Sequence, residues 1–547
     1  MKNYKKIILV MLLAITFMQC KKDFLELKQP ELFPWTNVGD LELSVNDAYY
    51  AYFIASKSWG NIVATNTYKN YLIGDLSQPT GHLPLEHYGV GDYHRNFTRE
   101  SNFLEDYAFT QVYRTLNQIN PALQFIEEQE SAGKDVFANM SVADKETLKR
   151  QKGEFYFMRA WVNYTLATLW MPPYNPKGDN SGKYVPLKMS FVESQEELRN
   201  APLGSIQQFY DAILADLAKA KDLLPDQNLA GRANKYAAAT LLYRVHFLMN
   251  NYSEALNECD FIIKDAVDSK GYYDLSEDPI RAWNRSYGDA PAREVIWENA
   301  IRAESKAYEQ AFGYMTKIGY YRANNGGRGE NWKQGWQGTM AMSYYALDKI
   351  GWMNTAVDTV PTDEAMADKR YKQLYYFLIA GSKRPNTDGM TPEEKLAVDT
   401  VYDNKATVTK NHIWVDKYYR ASPLGQFGQL PLMRLAEIYL SRAMLRLSEN
   451  SDVVGATADI NVVRARAGLA PVTTVTEESI EIERIKELTG ENGDRMLYLK
   501  GYRKTIDGNR VGEDGVTPVP AIAAPYSNMV TPLPLGETDY NGSYNDE

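Results

Sequence analysis

Residues 232–266 read RANKYAAATLLYRVHFLMNNYSEALNECDFIIKDA, and the fold follows from how this stretch divides. Ala237, Ala238, Leu241, Leu242, Val245, Leu248 and Met249 recur at helical spacing. The polar pair Asn250–Asn251 breaks the pattern, and Ala255, Leu256, Cys259, Ile262 and Ile263 resume it. Two helices joined by so short a turn form a hairpin. The small side chains of the first helix let its partner approach closely, and Tyr252, just past the turn, is placed to fill the gap to a neighbouring unit. Cys259 falls on the apolar stripe and reads as a buried small hydrophobe.

The hairpin is close in length to the ~34-residue tetratricopeptide unit, and the same logic extends in both directions. Phe155, Met158, Val162, Leu166 and Leu169 line one helix face, while Trp161 and Tyr164 mark another, so this helix is predicted to be covered on two sides. Ser205 and Gln208 form a capping box before Ile206, Phe209, Ile213 and Leu217, and Pro225 marks the stop. Late in the chain Leu432, Leu435, Ile438, Tyr439 and Leu445 precede a turn near 450–452. Ile460, Val463 and Ala467 line the return helix, which Gly468 and Pro471 end. Helix pairs are thus expected over about 99–170, 205–266 and 431–489. The predicted class is all-α (α-rich), a tetratricopeptide-like helix-hairpin scaffold with a loop-rich ligand-binding face. Its repeats are too degenerate and too far apart for a regular solenoid. Between about 268 and 430 Gly, Pro, Asn and Trp break the periodicity, and 60–98 and 508–547 are similarly irregular. Long irregular segments on a helical platform are where binding residues usually lie.

The N-terminus carries an address. Lys2, Lys5 and Lys6 precede an apolar run from Ile7 to Met18. That run is too short for a bilayer span, which needs about 20 residues, and fits a signal peptide over 1–19. Cys20 follows directly, where a bacterial lipoprotein carries its acylated residue, although Gln19 stands where such signals prefer a small side chain. Residues 20–547 would then form one domain. Lipidation of Cys20 would leave Cys259 without a disulfide partner, since the chain has only 2 cysteines.

The 547 residues include 60 Lys+Arg against 70 Asp+Glu, a net charge of −10 that argues against nucleic-acid binding. No phosphate-binding glycine loop, nucleophile elbow or H-E-x-x-H zinc motif occurs. His82, His87, His94, His246 and His412 lack metal-ligand spacing, and His246 reads as a satisfied core histidine. No cofactor is expected, although an irregular calcium site would leave no readable trace. The missing motifs weigh against an enzyme without eliminating one.

Several segments resemble the SusD/RagB family of surface nutrient-binding lipoproteins. Cys20 to Glu26 looks like that family's mature start. Gly153 to Trp170 with Val185-Pro186-Leu187 resembles its Arg-Ala aromatic helix and Val-Pro-Leu segment. Ala237 to Ala255 resembles its repeat helix pair, and Arg293 to Glu298 its strand-like segment. Leu430-Pro431-Leu432-Met433-Arg434-Leu435-Ala436-Glu437-Ile438-Tyr439-Leu440 is the most specific match, continued by Ile482-Glu483-Arg484, Glu487-Leu488 and Arg495. Tyr498 stands where the family usually has Asp, and 532–537 keeps only part of its closing motif. The resemblance implies four tetratricopeptide-like units in one α-rich domain. It also implies a SusC-like TonB-dependent barrel transporter as partner, an outer-membrane location facing the exterior, and a nutrient ligand handed on without reaction.

Sugars are held by stacking on Trp or Tyr rings, with polar side chains reading the hydroxyls. Ring-bearing loops therefore supply the candidates: Trp332 and Trp336 after the Gly-rich loop 324–329, then Tyr93, Arg95 and Asn96, then Asp75, Tyr320 and Tyr321. Trp161, Trp170 and Trp297 lie on periodic or family-core segments and are read as core. An oligosaccharide or polysaccharide is the leading ligand class. An oligopeptide is the alternative, with Arg322, Arg328 and Lys333 meeting its carboxylates, and an all-helical exported glycosidase is a remote third.

Overall fold

The computed structural model describes residues 35–53, 76–77, 108–192, 194–275, 278–283, 293–299, 341–379, 400–402, 411–415, 417, 430–491, 493–506, 521–524, 526 and 530–544. Among the described residues the longer helices carry the architecture: α1 (Val38–Phe53), α2 (Thr110–Ser131), α3 (Val142–Trp170), α4 (Ile206–Leu223), α5 (Lys235–Leu248), α6 (Tyr252–Phe261), α7 (Leu435–Asn450), α8 (Val453–Arg466), α9 (Glu477–Leu488) and α10 (Asp494–Gly501). Each packs on its successor from α1 to α8, α9 returns onto α7, and α10 onto α5. The α6–α7 contact is the informative one. Pairs that the sequence separates by more than a hundred residues are neighbours in space, so the array is continuous. No helix among the described residues is long and apolar enough to cross a membrane.

Local chemistry fixes the ends of these helices. The Ser205–Gln208 capping box is present at the start of α4, with Oγ of Ser205 accepting from the Gln208 N–H at 3.1 Å. Asn234 caps α5 by accepting from the Ala237 N–H at 2.9 Å. The α5–α6 turn puts Asn250 at φ 61°, and the α7–α8 turn puts Ser451 at φ 50°. Ala237, Ala238 and Ala239 are fully buried, and α6 runs on as a π-helical segment through Ser269. Tyr252 does fill a gap between units: its ring packs against Phe247 and Tyr502, and its hydroxyl donates to the Gly501 carbonyl at 2.8 Å. Gly501 itself allows that approach, because a Cβ there would meet the Phe247 ring at 2.1 Å.

α3 is buried on nearly every side, with Trp161 and Trp170 only 7% and 1% exposed. Trp297 lies edge-on to Phe157 and Trp161, at 4.8 and 4.9 Å between ring centroids. These three tryptophans are core, as their periodic or family-core segments indicate. Cys259 is a free, fully buried thiol, its pKa pushed well up by burial. His246 differs from expectation. It sits half-buried in the last turn of α5 with Nδ1 lacking a hydrogen-bond partner, so burial depresses its basicity rather than a satisfied network holding it.

Among the described residues nine short strands complete the fold: β1 (Leu76–Ser77), β2 (Lys183–Pro186), β3 (Leu203–Ser205), β4 (Val295–Asn299), β5 (Ala341–Met342), β6 (Tyr375–Ile379), β7 (Thr400–Tyr402), β8 (His412–Val415) and β9 (Leu430–Arg434). Two corrections follow. The stretch 268–430, read as irregular, contributes four strands to a five-stranded sheet ordered β1-β5-β8-β6-β7, in which only β6 and β7 run parallel. Leu432, read as the start of a helix, lies instead in β9. That strand pairs antiparallel with β4 and hands over to α7 at Leu435. Five consecutive buried residues from Leu430 to Arg434 explain the difference, because a segment covered on all sides shows no periodicity.

Candidate functional site

Trp332, Trp336, Tyr93, Arg95, Asn96, Asp75, Tyr320, Tyr321 and Cys20 all lie outside the described residues, as do Arg322, Arg328 and Lys333. The structure does fix the ends of chain next to several of them. Asp75 immediately precedes β1, and Trp336 comes five residues before β5. β1 and β5 are neighbours in the sheet, with Leu76 opposite Met342 and Ser77 opposite Ala341. At the other end, Asn299 pairs with Leu430. Two candidate-bearing segments, far apart in sequence, are therefore rooted on adjacent strands.

The platform beneath those roots is dense and aromatic. Ala341, Met342, Trp352, Tyr375, Tyr376 and Trp414 are all fully buried. Tyr376 stacks on Trp414 with planes 8° apart, and Trp352 meets Tyr375 edge-on at 4.9 Å. Tyr344 stacks on His412 at 4.6 Å and donates to the Asn411 carbonyl at 2.7 Å. Short strands of this kind stay in register through such packing more than through their few ladder bonds.

A buried lattice of charges joins the platform to the helix array. Arg434, at the end of β9, donates to Glu294 at 2.5 Å, to Glu487 at 3.0 Å and to both oxygens of Glu491 at 2.8 and 2.9 Å. Arg466 also reaches Glu294 and Glu487, while Arg370 pairs with Asp368 and Glu483. Lys417, fully buried, donates to the Glu487 and Thr489 carbonyls and to Glu491, capping the C-terminal end of α9. Burial alone would raise the Glu487 pKa, yet Arg466, Arg434 and Arg370 hold that carboxyl well below the ordinary range. Each lattice carboxylate faces a guanidinium or ammonium, an arrangement suited to holding elements together and not to moving protons. Among the described residues no three His, Cys, Asp or Glu side chains converge as metal ligands would.

Family comparisons give these motifs their context. A family model described as "Starch-binding associating with outer membrane" matches residues 45–247, and one described as "SusD family" matches 293–496. No match was found among the curated proteins. A SusD superfamily protein from Bacteroides thetaiotaomicron VPI-5482 is similar at 20% identity, over 93% of this chain and 99% of that one, with a TM-score of 0.66. A putative sugar binding protein from Bacteroides vulgatus ATCC 8482 is similar at 18% identity, over 93% and 97% of the two chains, with a TM-score of 0.67. A SusD-like carbohydrate binding protein from the same organism gives 17%, 94%, 98% and 0.63. At these identities the solved structures establish the helix-rich, tetratricopeptide-like fold. The chain belongs to the SusD/RagB family.

The structure also shows what the family-like motifs do in this chain. Arg434, Glu483 and Glu487 are the charged lattice, and Glu437 binds Arg244 of α5 across the array at 2.7 Å. Tyr498, found where the family usually has Asp, is fully buried with the cations of Lys504, Arg495 and Arg484 within 4.9, 5.5 and 5.9 Å of its ring. A π face thus meets the cations where a carboxylate is usual. No periodicity signals the lattice. Its only sequence trace is the density of Arg and Glu inside otherwise apolar stretches.

Proposed function

We propose that this chain is an outer-membrane lipoprotein, anchored through Cys20 and facing the exterior. It captures a nutrient oligosaccharide or polysaccharide and passes it, chemically intact, to a partner TonB-dependent barrel transporter. The observation that supports the reading is the pairing of β1 with β5, the strands that follow Asp75 and Trp336 in the sequence. Family membership supports the uptake role, and two structural relatives, described as a putative sugar binding protein and a SusD-like carbohydrate binding protein, favour a glycan over a peptide. In this reading Trp332 and Trp336 stack on sugar rings, Tyr93, Arg95 and Asn96 read hydroxyls, and no cofactor takes part.

Incubation of the purified chain with a glycan panel, followed by chromatography, tests it. Saturable binding with unaltered glycan is expected. Turnover products would point to a glycosidase, and a co-purifying peptide with no glycan bound would point to oligopeptide uptake. Cys20→Ala should move the protein from the membrane fraction to the soluble fraction. Retention through a high-salt wash would contradict the anchor.

A further inference from the structure

Among the described long helices with exposed positions, α8 is the one that turns only apolar side chains outward. Its exposed residues are Val453, Val454, Ala458, Val462 and Ala465. Elsewhere in the array such positions carry polar groups, as Asp211 and Lys219 do on α4 and Glu254 and Asn257 on α6. Val454, Ala458, Val462 and Ala465 follow the helical repeat and form one stripe along a helix about 21 Å long. Ala456, Ile460 and Val463 are buried on the inner side, where α7 packs, and none of the described elements covers the stripe. The outermost helices of a stacked array keep a polar outer face for solubility, so a contiguous apolar strip there marks a contact surface.

Size and charge select the partner. Along the stripe valine and alanine alternate, so an antiparallel copy of the same stripe sets large against small at every step. About a two-fold axis midway between Ala458 and Val462, Val462 meets Ala458 of the partner subunit and Val454 meets the partner's Ala465. A parallel copy in register would instead set valine on valine and alanine on alanine, which leaves gaps between the facing rows. The ends of the stripe are complementary in charge. Asp452, its side chain 41% exposed, precedes α8, and Lys369, its side chain 42% exposed, donates its N–H to the Ala467 carbonyl just beyond α8 at 2.9 Å. The same two-fold brings the acidic end of each copy to the basic end of the other, with the helix dipoles opposed.

We propose that α8 is the contact face of a two-fold homodimer of this chain, with the two copies of the helix packed antiparallel. Such a contact is isologous, so one patch that complements itself is enough to close it. A single helix per subunit buries well under the roughly 800 Å² per partner of a standard interface. The dimer is therefore weak and forms at high protein concentration. The surface is independent of the ligand-binding reading above, since none of its residues lies on the candidate loops.

Sedimentation equilibrium of the purified full chain, from micromolar to near-millimolar concentration, tests it. A monomer–dimer equilibrium is expected, and Val454→Lys should weaken it by about tenfold or more, because each copy then sets a lysine against an apolar row. Val142→Lys, at the start of α3, is the control. Val454 and Val142 are 82% and 81% exposed, so neither change disturbs the core and both variants should keep the circular dichroism of the unaltered chain. Val142→Lys should leave the equilibrium unchanged. A monomer at every concentration would overturn the proposal and assign the stripe to a different partner. Equal weakening by both substitutions, or a dimer that Val454→Lys leaves intact, would overturn it as well, since the contact would then be unspecific or lie elsewhere.

Discussion

The helix array and the five-stranded sheet are held together by different means. In the array, contacts are made mainly between helices consecutive along the chain, and they are lined by small and apolar residues such as Ala237 to Ala239. In the sheet, partners come from distant places: β1 at residue 76 pairs with β5 at residue 342, and β5 at Ala341 with β8 at Trp414. The two regions meet at the charged lattice, where Arg370, a few residues before β6, and Lys417, just after β8, reach Glu483, Glu487 and Glu491 on and beyond α9. The difference separates stability from recognition. Under the proposed function, the array and the lattice set how firmly the chain is folded, and the segments adjoining the sheet carry recognition.

That division can be broken by a lattice substitution. Arg434→Met leaves Glu294, Glu487 and Glu491 with a charge buried and short of a partner, and should cost about 3–5 kcal/mol in denaturant unfolding. Glycan affinity of the remaining folded fraction should stay unchanged. A loss below about 1 kcal/mol would mean that water reaches the lattice.

Acid should act on α9 as well, through a second group of charges. Burial alone would raise the Glu481 pKa, but Arg495, Lys349 and Lys504 bring it from 4.5 down to about 2. Because the folded value is the lower one, the stabilisation is complete above about pH 5 and disappears as the pH falls towards 2. It amounts to about 3 kcal/mol at most. Chemical denaturation from pH 6 to pH 2 should show this slope, and Glu481→Gln should flatten it. An identical slope in the variant would place the acid sensitivity elsewhere.

A smaller effect probes the array alone. Gly501→Ala pushes a methyl group into the Phe247 ring, at a cost of about 1–3 kcal/mol in thermal unfolding. Binding should again be unaffected, and a fall in affinity would mean that the array transmits its strain to the ligand loops.

How much was legible follows the same division. Hairpins declare themselves because an amphipathic stripe, a cap such as Ser205 and a turn such as Asn250 are all local signals. α1 could have been read too, since Leu41, Val45, Ala48, Tyr49 and Tyr52 follow helical spacing. The sheet was opaque. β1 and β5 have two residues each, and nothing in a two-residue segment announces a partner some 265 positions away. The lattice left only Arg and Glu inside apolar stretches as its trace, because a buried Arg–Glu pair looks in sequence like a solvated helix face. The candidate rings were chosen by chemistry and loop context, and the structure constrains only the ends of the chain segments beside them.

The most direct measurement compares the unaltered chain with the Trp332→Ala, Trp336→Ala double variant. Isothermal titration would use the best glycan from the panel, with circular dichroism recorded alongside. The expected result is a loss of affinity of tenfold or more with an unchanged helical signal and melting temperature. Unaltered affinity would contradict the assignment of recognition to the sheet-rooted segments, and a collapsed melting temperature would contradict the separation of recognition from folding.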